Sequence, residues 1–105
     1  MKPAIRISRG AFPPEKFDVV REAFAASQAA FEPATRRLRG HRMSYAAIDA
    51  TSSSIVYVSF WDDVESAMQL GLLPEMQTAG SELLKLGVQF ERPIVNHETV
   101  WSVVS

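Results

Sequence analysis

The chain of 105 residues contains no cysteine. That single absence removes disulfides, thiolate metal sites, iron–sulfur clusters and cysteine nucleophiles, and it makes the cytoplasm the expected setting. Long apolar runs are also missing. None approaches the roughly 20 residues a membrane helix needs, so no membrane partner is expected. Met1-Lys2-Pro3-Ala4-Ile5-Arg6 is not followed by an apolar stretch, and no signal peptide is expected. Charge of one sign is scarce: 11 Lys/Arg against 12 Asp/Glu leave a net charge of −1. That balance suits phosphate backbones poorly, and nucleic acid is not an expected partner. The serines at 8, 44, 52–54 and 59 lack a G-x-S-x-G context, and there is no phosphate-cradling glycine loop. An NAD or ATP enzyme is therefore not expected.

What remains is an ordinary globular composition, 47% apolar and 22% charged, at a length that suits one domain over residues 1–105. The charge is unevenly spread. Residues 1–50 hold nine Lys/Arg and five Asp/Glu, while 51–105 hold two and seven. The densest cluster, Arg36-Arg37-Leu38-Arg39-Gly40-His41-Arg42, reads as a solvated helix end, where cations complement the dipole. An anion contact is the other reading, and His41 reads as a surface residue.

Periodicity predicts the elements. Ala4–Ser8 alternates with a strand period and Gly10 ends it. Pro13-Pro14-Glu15 opens a helix whose Phe17, Val20, Phe24 and Phe31 share a face. Pro33 is expected to interrupt that helix, with a short second piece over Ala34–Leu38 and a stop at Gly40. Met43–Asp49 and Ile55–Trp61 read as a hairpin joined by a polar loop. Asp62-Asp63-Val64-Glu65 has the form of a helix start. A helix over roughly Val64–Gly71 then breaks near Pro74, restarts, and stops at Gly87. Ile94–Val103 reads as the last strand. The order β-α-β-β-α-β predicts an α+β, ferredoxin-like domain, a four-stranded antiparallel sheet with its helices on one face.

Each strand then divides between two faces. Val56, Val58 and Phe60 are uniformly apolar and are assigned to the helix-covered face. Ile55, Tyr57, Ser59 and Trp61 are assigned to the opposite face, with Met43, Tyr45, Ala47, Arg6 and Ser8. On the last strand either Val95, His97, Thr99, Trp101 and Val103 or Asn96, Glu98, Val100 and Ser102 join them. A face so aromatic and yet partly polar calls for a cover, and a second copy of the chain is the expected one, with a small-molecule pocket enclosed.

Gly40-His41-Arg42-Met43-Ser44-Tyr45 and, after the hairpin loop, Val58-Ser59-Phe60-Trp61-Asp62-Asp63-Val64-Glu65-Ser66-Ala67 resemble the dimeric α/β-barrel superfamily, in particular its antibiotic-biosynthesis-monooxygenase-like domains. The resemblance lies in a glycine before strand two, an aromatic within it, and a strand-three tryptophan ahead of an acidic helix start. It implies a homodimer with a pocket, in a group that includes cofactor-independent monooxygenases on phenolic or polycyclic substrates, haem-degrading enzymes and members without an assigned role. The haem-degrading branch also carries a histidine about ten residues beyond the tryptophan and an asparagine on strand one. This chain has Leu70 and Gly71, and Arg6 and Ser8, at those places. Haem would lack its proximal ligand, and no cofactor is expected.

The candidate residues follow. His97 can act as an acid or base near neutral pH, or be held by hydrogen bonds in the dimer contact. Arg6, on a central strand, must reach solvent, pair with an acid or meet an anionic ligand such as a carboxylate. Ser8, Tyr45, Tyr57, Trp61 and Trp101 are the remaining ligand-binding candidates, the aromatics serving equally as packing residues. His41 and His97 with Asp49 or Glu98 have no ligand spacing on one element, so no metal is expected. Three functions are consistent with this set: a homodimeric small-molecule-binding domain, a cofactor-independent monooxygenase with His97 or Tyr45 as base, and a non-catalytic dimerisation or regulatory module.

Overall fold

In the computed structural model, which describes residues 2–105, the chain runs β1 (Ala4–Ala11), a 3-10 turn (Pro14–Lys16), α1 (Phe17–Arg36), β2 (His41–Asp49), β3 (Ser54–Trp61), α2 (Val64–Met68), a second 3-10 turn (Gln69–Leu72), α3 (Pro74–Lys85), β4 (Gln89–Phe90) and β5 (Asn96–Glu98). Met1 of the expected 1–105 domain lies outside the described residues. The sheet is antiparallel with spatial order β2-β3-β1-β4, and β5 joins the same edge of β1 as β4. The fourth place in the ferredoxin-like sheet is thus filled by two short strands in succession. No helix among the described residues is long and apolar enough to cross a membrane.

Local chemistry sets the boundaries. Asp63 caps α2, its carboxylate accepting from the Ser66 N–H at 2.7 Å. Proline occupies the first turn of α3, where its missing N–H costs nothing. At the other end of α3, Gly87 has φ of +99°, Val88 N–H donates to Leu83 O at 3.1 Å and Gly87 N–H to Leu84 O at 3.0 Å. These are the two bonds of a Schellman stop, with Leu83 and Val88 both in the core. Gly40 also has positive φ, +77°, and a Cβ there would lie 2.6 Å from Ser66 Oγ. Only glycine lets β2 begin so close to α2.

Several expectations need correction. Pro33 does not break α1, which is continuous for 20 residues. The proline falls in an exposed last turn, where the missing N–H affects one carbonyl that solvent can reach. β1 runs through Gly10 to Ala11. Gly10 packs under Val88 and Phe90 instead of turning, since a Cβ there would meet Val88 Cγ1 at 2.6 Å. The last strand is not Ile94–Val103: only Asn96–Glu98 pairs, and residues 99–105 lie outside the sheet.

The largest correction concerns the faces of β3. Ile55, Tyr57, Ser59 and Trp61 are the buried set, and Val56, Val58 and Phe60 are only partly covered. The two polar side chains Ser59 and Trp61 satisfy one another, since Trp61 Nε1 donates to Ser59 Oγ at 2.8 Å. That bond removes the penalty that made the face look unsuited to a core. Phe31 of α1 stacks at a tilt on Tyr57, with ring centroids 5.7 Å apart. Ala4, Val20, Phe24, Ala67, Leu70, Leu83 and Val88 complete this core.

The register fixes the rest. Arg6 lies opposite Ser59 and Ser8 opposite Tyr57, so both face the helices. Ile5 and Ile7 pair with Phe60 and Val58, Met43 with Phe60, and Tyr45 with Val58. These residues make an apolar outer face, on which Met43 and Tyr45 are exposed and the Tyr45 and Phe60 rings meet edge to face. His97 pairs with Ile5 and belongs to this outer face.

Candidate functional site

Arg6 sits half-buried on the inner face of β1, where a lone charge must find a partner. Its Nη1 donates to Asn96 Oδ1 of β5 at 3.0 Å, a neutral acceptor. The nearest cation is Arg92, in the segment between β4 and β5. Burial lowers the Arg6 pKa below its ordinary value and the positive charge of Arg92 lowers it further. Arginine stays protonated nonetheless, so the two groups form a patch of unrelieved positive charge. Neither is in an ion pair among the described residues.

Both guanidinium groups line a groove of about 340 Å³ between α3 and the β1 edge. Ser8 contributes a hydroxyl to its floor, and Met76, Leu84, Phe90 and Ile94 give apolar walls. No aspartate or glutamate lines it. Arg92 rests over the Phe90 ring, 5.9 Å from its centroid, which holds the side chain toward the groove. Gly71 leaves room for Arg6: a Cβ there would come within 3.2 Å of Arg6 Nη2. The arrangement is an apolar slot with a cationic end, the geometry for a small organic anion whose carboxylate or phenolate meets the two guanidinium forks.

The other sequence candidates scatter. Of the predicted set, Arg6 and Ser8 share this groove. Tyr57 borders a separate cavity between α1 and β2. Trp61 is fully buried, and its ring meets His41 edge-on at 5.1 Å between centroids. Tyr45 and His97 stand on the outer face, His97 beside a shallow depression with Ile7, Arg9 and Glu91. Trp101 lies in the extended tail, 82% exposed. No group of three or more metal-ligating side chains occurs among the described residues. Arg92 and Phe90 were not legible in the sequence because their approach to Arg6 depends on a two-residue strand, nor was the part of Gly71, which reaches Arg6 from a 3-10 turn. Sequence reading also placed His41 on the surface, whereas it is half-buried and bonded to Ser44.

No family model and no curated protein matches the sequence. Solved structures do. A Deinococcus radiodurans protein provisionally assigned as an antibiotic biosynthesis monooxygenase matches with TM-score 0.71 and 17% identity, over 97% of each chain. The fold is that of the antibiotic-biosynthesis-monooxygenase-like structures. A point mutant of SnoaB, a cofactor-independent oxygenase from Streptomyces nogalater, matches over 100% of both chains with TM-score 0.64 and 14% identity. A dimeric protein of unknown function from Bacteroides fragilis, with a ferredoxin-like fold, matches over 92% of this chain and 96% of its own, with TM-score 0.68 and 17% identity. Likeness at such identity is a likeness of fold, and chemistry has to be argued from the groove itself.

Proposed function

We propose that residues 1–105 form one homodimeric small-molecule-binding domain of antibiotic-biosynthesis-monooxygenase-like fold, whose groove takes a small organic anion. The observation that carries the reading is the pair Arg6 and Arg92, two cations without an acid at the end of an apolar slot. Titration calorimetry with benzoate tests it. Benzoate is expected to bind the wild-type protein, and Arg6→Gln to weaken it about ten-fold or more, the loss of one hydrogen bond to a charged group. Equal affinity in the variant would overturn the assignment. A cytoplasmic location accompanies this reading and is supported by the cysteine-free composition.

Dimerisation is supported by the outer sheet face, where Ile5, Met43, Tyr45, Val58 and Phe60 form a contiguous apolar patch without a helix above it. Phe60→Lys is expected to convert a two-copy particle to monomers in light scattering while leaving the far-UV spectrum intact. A wild-type particle that is already monomeric at micromolar concentration would remove this part of the proposal.

Cofactor-independent oxygenation is a second reading, favoured by the SnoaB likeness. In that case the two guanidinium groups would stabilise a bound phenolate and so favour the deprotonated, oxygen-reactive form of a hydroxylated polycyclic substrate. Tyr45 and His97 face away from the groove, and no Asp, Glu or His lines it, so the proton would leave to solvent. Oxygen uptake with hydroxynaphthalenes that is unchanged by Arg6→Gln would exclude it.

A further inference from the structure

A second cavity, of about 300 Å³, lies toward the opposite edge of the sheet from the Arg6 groove, between the last turns of α1 and the start of β2. That volume is at the lower end for a small-ligand site. Gln28, Glu32, Thr35 and Arg36 reach it from one face of α1, spaced by the helical repeat. His41 and Ser44 reach it from β2, and Tyr57 from β3.

Two features show that this wall is built and not incidental. Residues three apart on a regular strand point to opposite faces. A β-bulge between His41 and Met43 removes that restriction, and His41 Nε2 and Ser44 Oγ meet at 2.8 Å on the same face. The ring is backed by the edge contact with Trp61. Second, Thr35 is 3% exposed, and its Oγ1 is the one buried side-chain polar atom without a hydrogen-bond partner among the described residues. A helical threonine ordinarily bonds a carbonyl one turn back. Thr35 does not, and a hydroxyl buried without a partner is costly unless something else completes it.

The charges at this cavity cancel. Arg36 and Glu32 pair at 2.9 Å on its rim. Burial and, to a smaller extent, the charge of Arg36 push the His41 pKa below its ordinary 6.5, so the ring is neutral at pH 7. A cation or an anion would gain little here. The three hydroxyls of Thr35, Ser44 and Tyr57 each donate and accept, as ligand hydroxyls do, and the Tyr57 ring offers a flat apolar surface.

We infer that the α1–β2 cavity is a second ligand site, separate from the Arg6 groove, which takes a neutral polyhydroxylated ring. A sugar and a cyclitol share that chemistry, and the two arms of the test separate them. Amide NMR spectra of the full chain are followed while D-glucose or myo-inositol is added. The expected result is saturable shifts at Thr35, His41, Ser44 and Tyr57 with at least one of the two rings, and the ring that saturates identifies the class. Thr35→Val, equal in shape but without the hydroxyl, should bind about five-fold more weakly, the worth of one net hydrogen bond. Thr35→Ser should keep wild-type affinity, and so should Arg6→Gln. Should Thr35→Val not fold, Ser44→Ala serves in its place with the same expected loss. The inference is overturned if neither ring shifts these amides, if deleting the hydroxyl leaves affinity unchanged, or if Arg6→Gln abolishes binding. The last result would assign the ring to the anion groove, while a failure of benzoate to bind that groove would leave this cavity's test untouched.

Discussion

The inner face of β3 depends on one hydrogen bond, and Ser59→Ala isolates it. Ser59 and Trp61 are both fully buried, and Ser59 Oγ accepts the indole N–H at 2.8 Å. Alanine keeps the strand and nearly all of the volume but leaves the N–H facing apolar side chains. An orphaned buried donor costs about 1–3 kcal/mol. For a domain of this size each kcal/mol moves the melting temperature by roughly 4–8 °C, so the expected fall lies between about 4 and 24 °C. Urea unfolding followed by tryptophan emission is the assay. Trp101 is exposed and would dilute the signal, so a Trp101→Phe background leaves Trp61 as the only indole. Protein concentration must be held constant, because self-association adds to apparent stability. The midpoint should fall with the m-value unchanged, and Ser102→Ala, in the exposed tail, should stay within about 0.5 kcal/mol of the parent. A Ser59→Ala effect as small as the tail control would refute the idea that this bond is what admits a tryptophan and a serine to the core.

Gly71→Ala tests the groove from its roof. The new Cβ would stand 3.2 Å from Arg6 Nη2, so the guanidinium must move while the fold need not. Benzoate affinity should drop several-fold with the melting temperature nearly constant; unchanged affinity would show that Arg6 is not held in place by Gly71. His41 links stability to pH. Its folded pKa is depressed by burial first and Arg36 second, so the unfolded chain takes up the proton at higher pH than the folded one. Its contribution is therefore intact above the ordinary 6.5 and is lost as pH falls through that value toward the folded midpoint. An NMR titration should place the His41 midpoint below 6.5, and Arg36→Gln should raise it only part of the way back. A wild-type midpoint at or above 6.5 would contradict the burial seen here.

The order of elements was legible because strand and helix periods are written in single residues: Ala4 to Ser8, Phe17 to Phe31, Ile55 to Trp61. The choice of inner face was not. Val56, Val58 and Phe60 are the more hydrophobic set by composition, yet burial followed Tyr57, which borders a cavity, and Trp61, whose indole N–H is bonded to Ser59 within the core. Arg6 could be singled out from sequence, since a charge on a central strand demands an explanation. Arg92 could not, because β4 is too short to show a period and the segment after it has none. His41 was hidden by its neighbours: four arginines between residues 36 and 42 suggest solvent, and nothing in the letters marks the bulge that turns the ring inward.

The split of the fourth strand has a kinetic side. Because β4 and β5 are separate, the residues between them contribute Arg92 and Ile94 to the groove in place of continuing the ladder along β1. One wall of the groove is therefore the part of the sheet with the fewest backbone bonds, and such segments open at far lower free energy than a core strand. At the proposed site, an anion would leave by loosening residues 92–95, with the Glu91 N–H still on Arg9 O and α3 still seated on the sheet. Residence time would then be set by that edge, and changes in it would alter how long a ligand stays without altering how the protein folds.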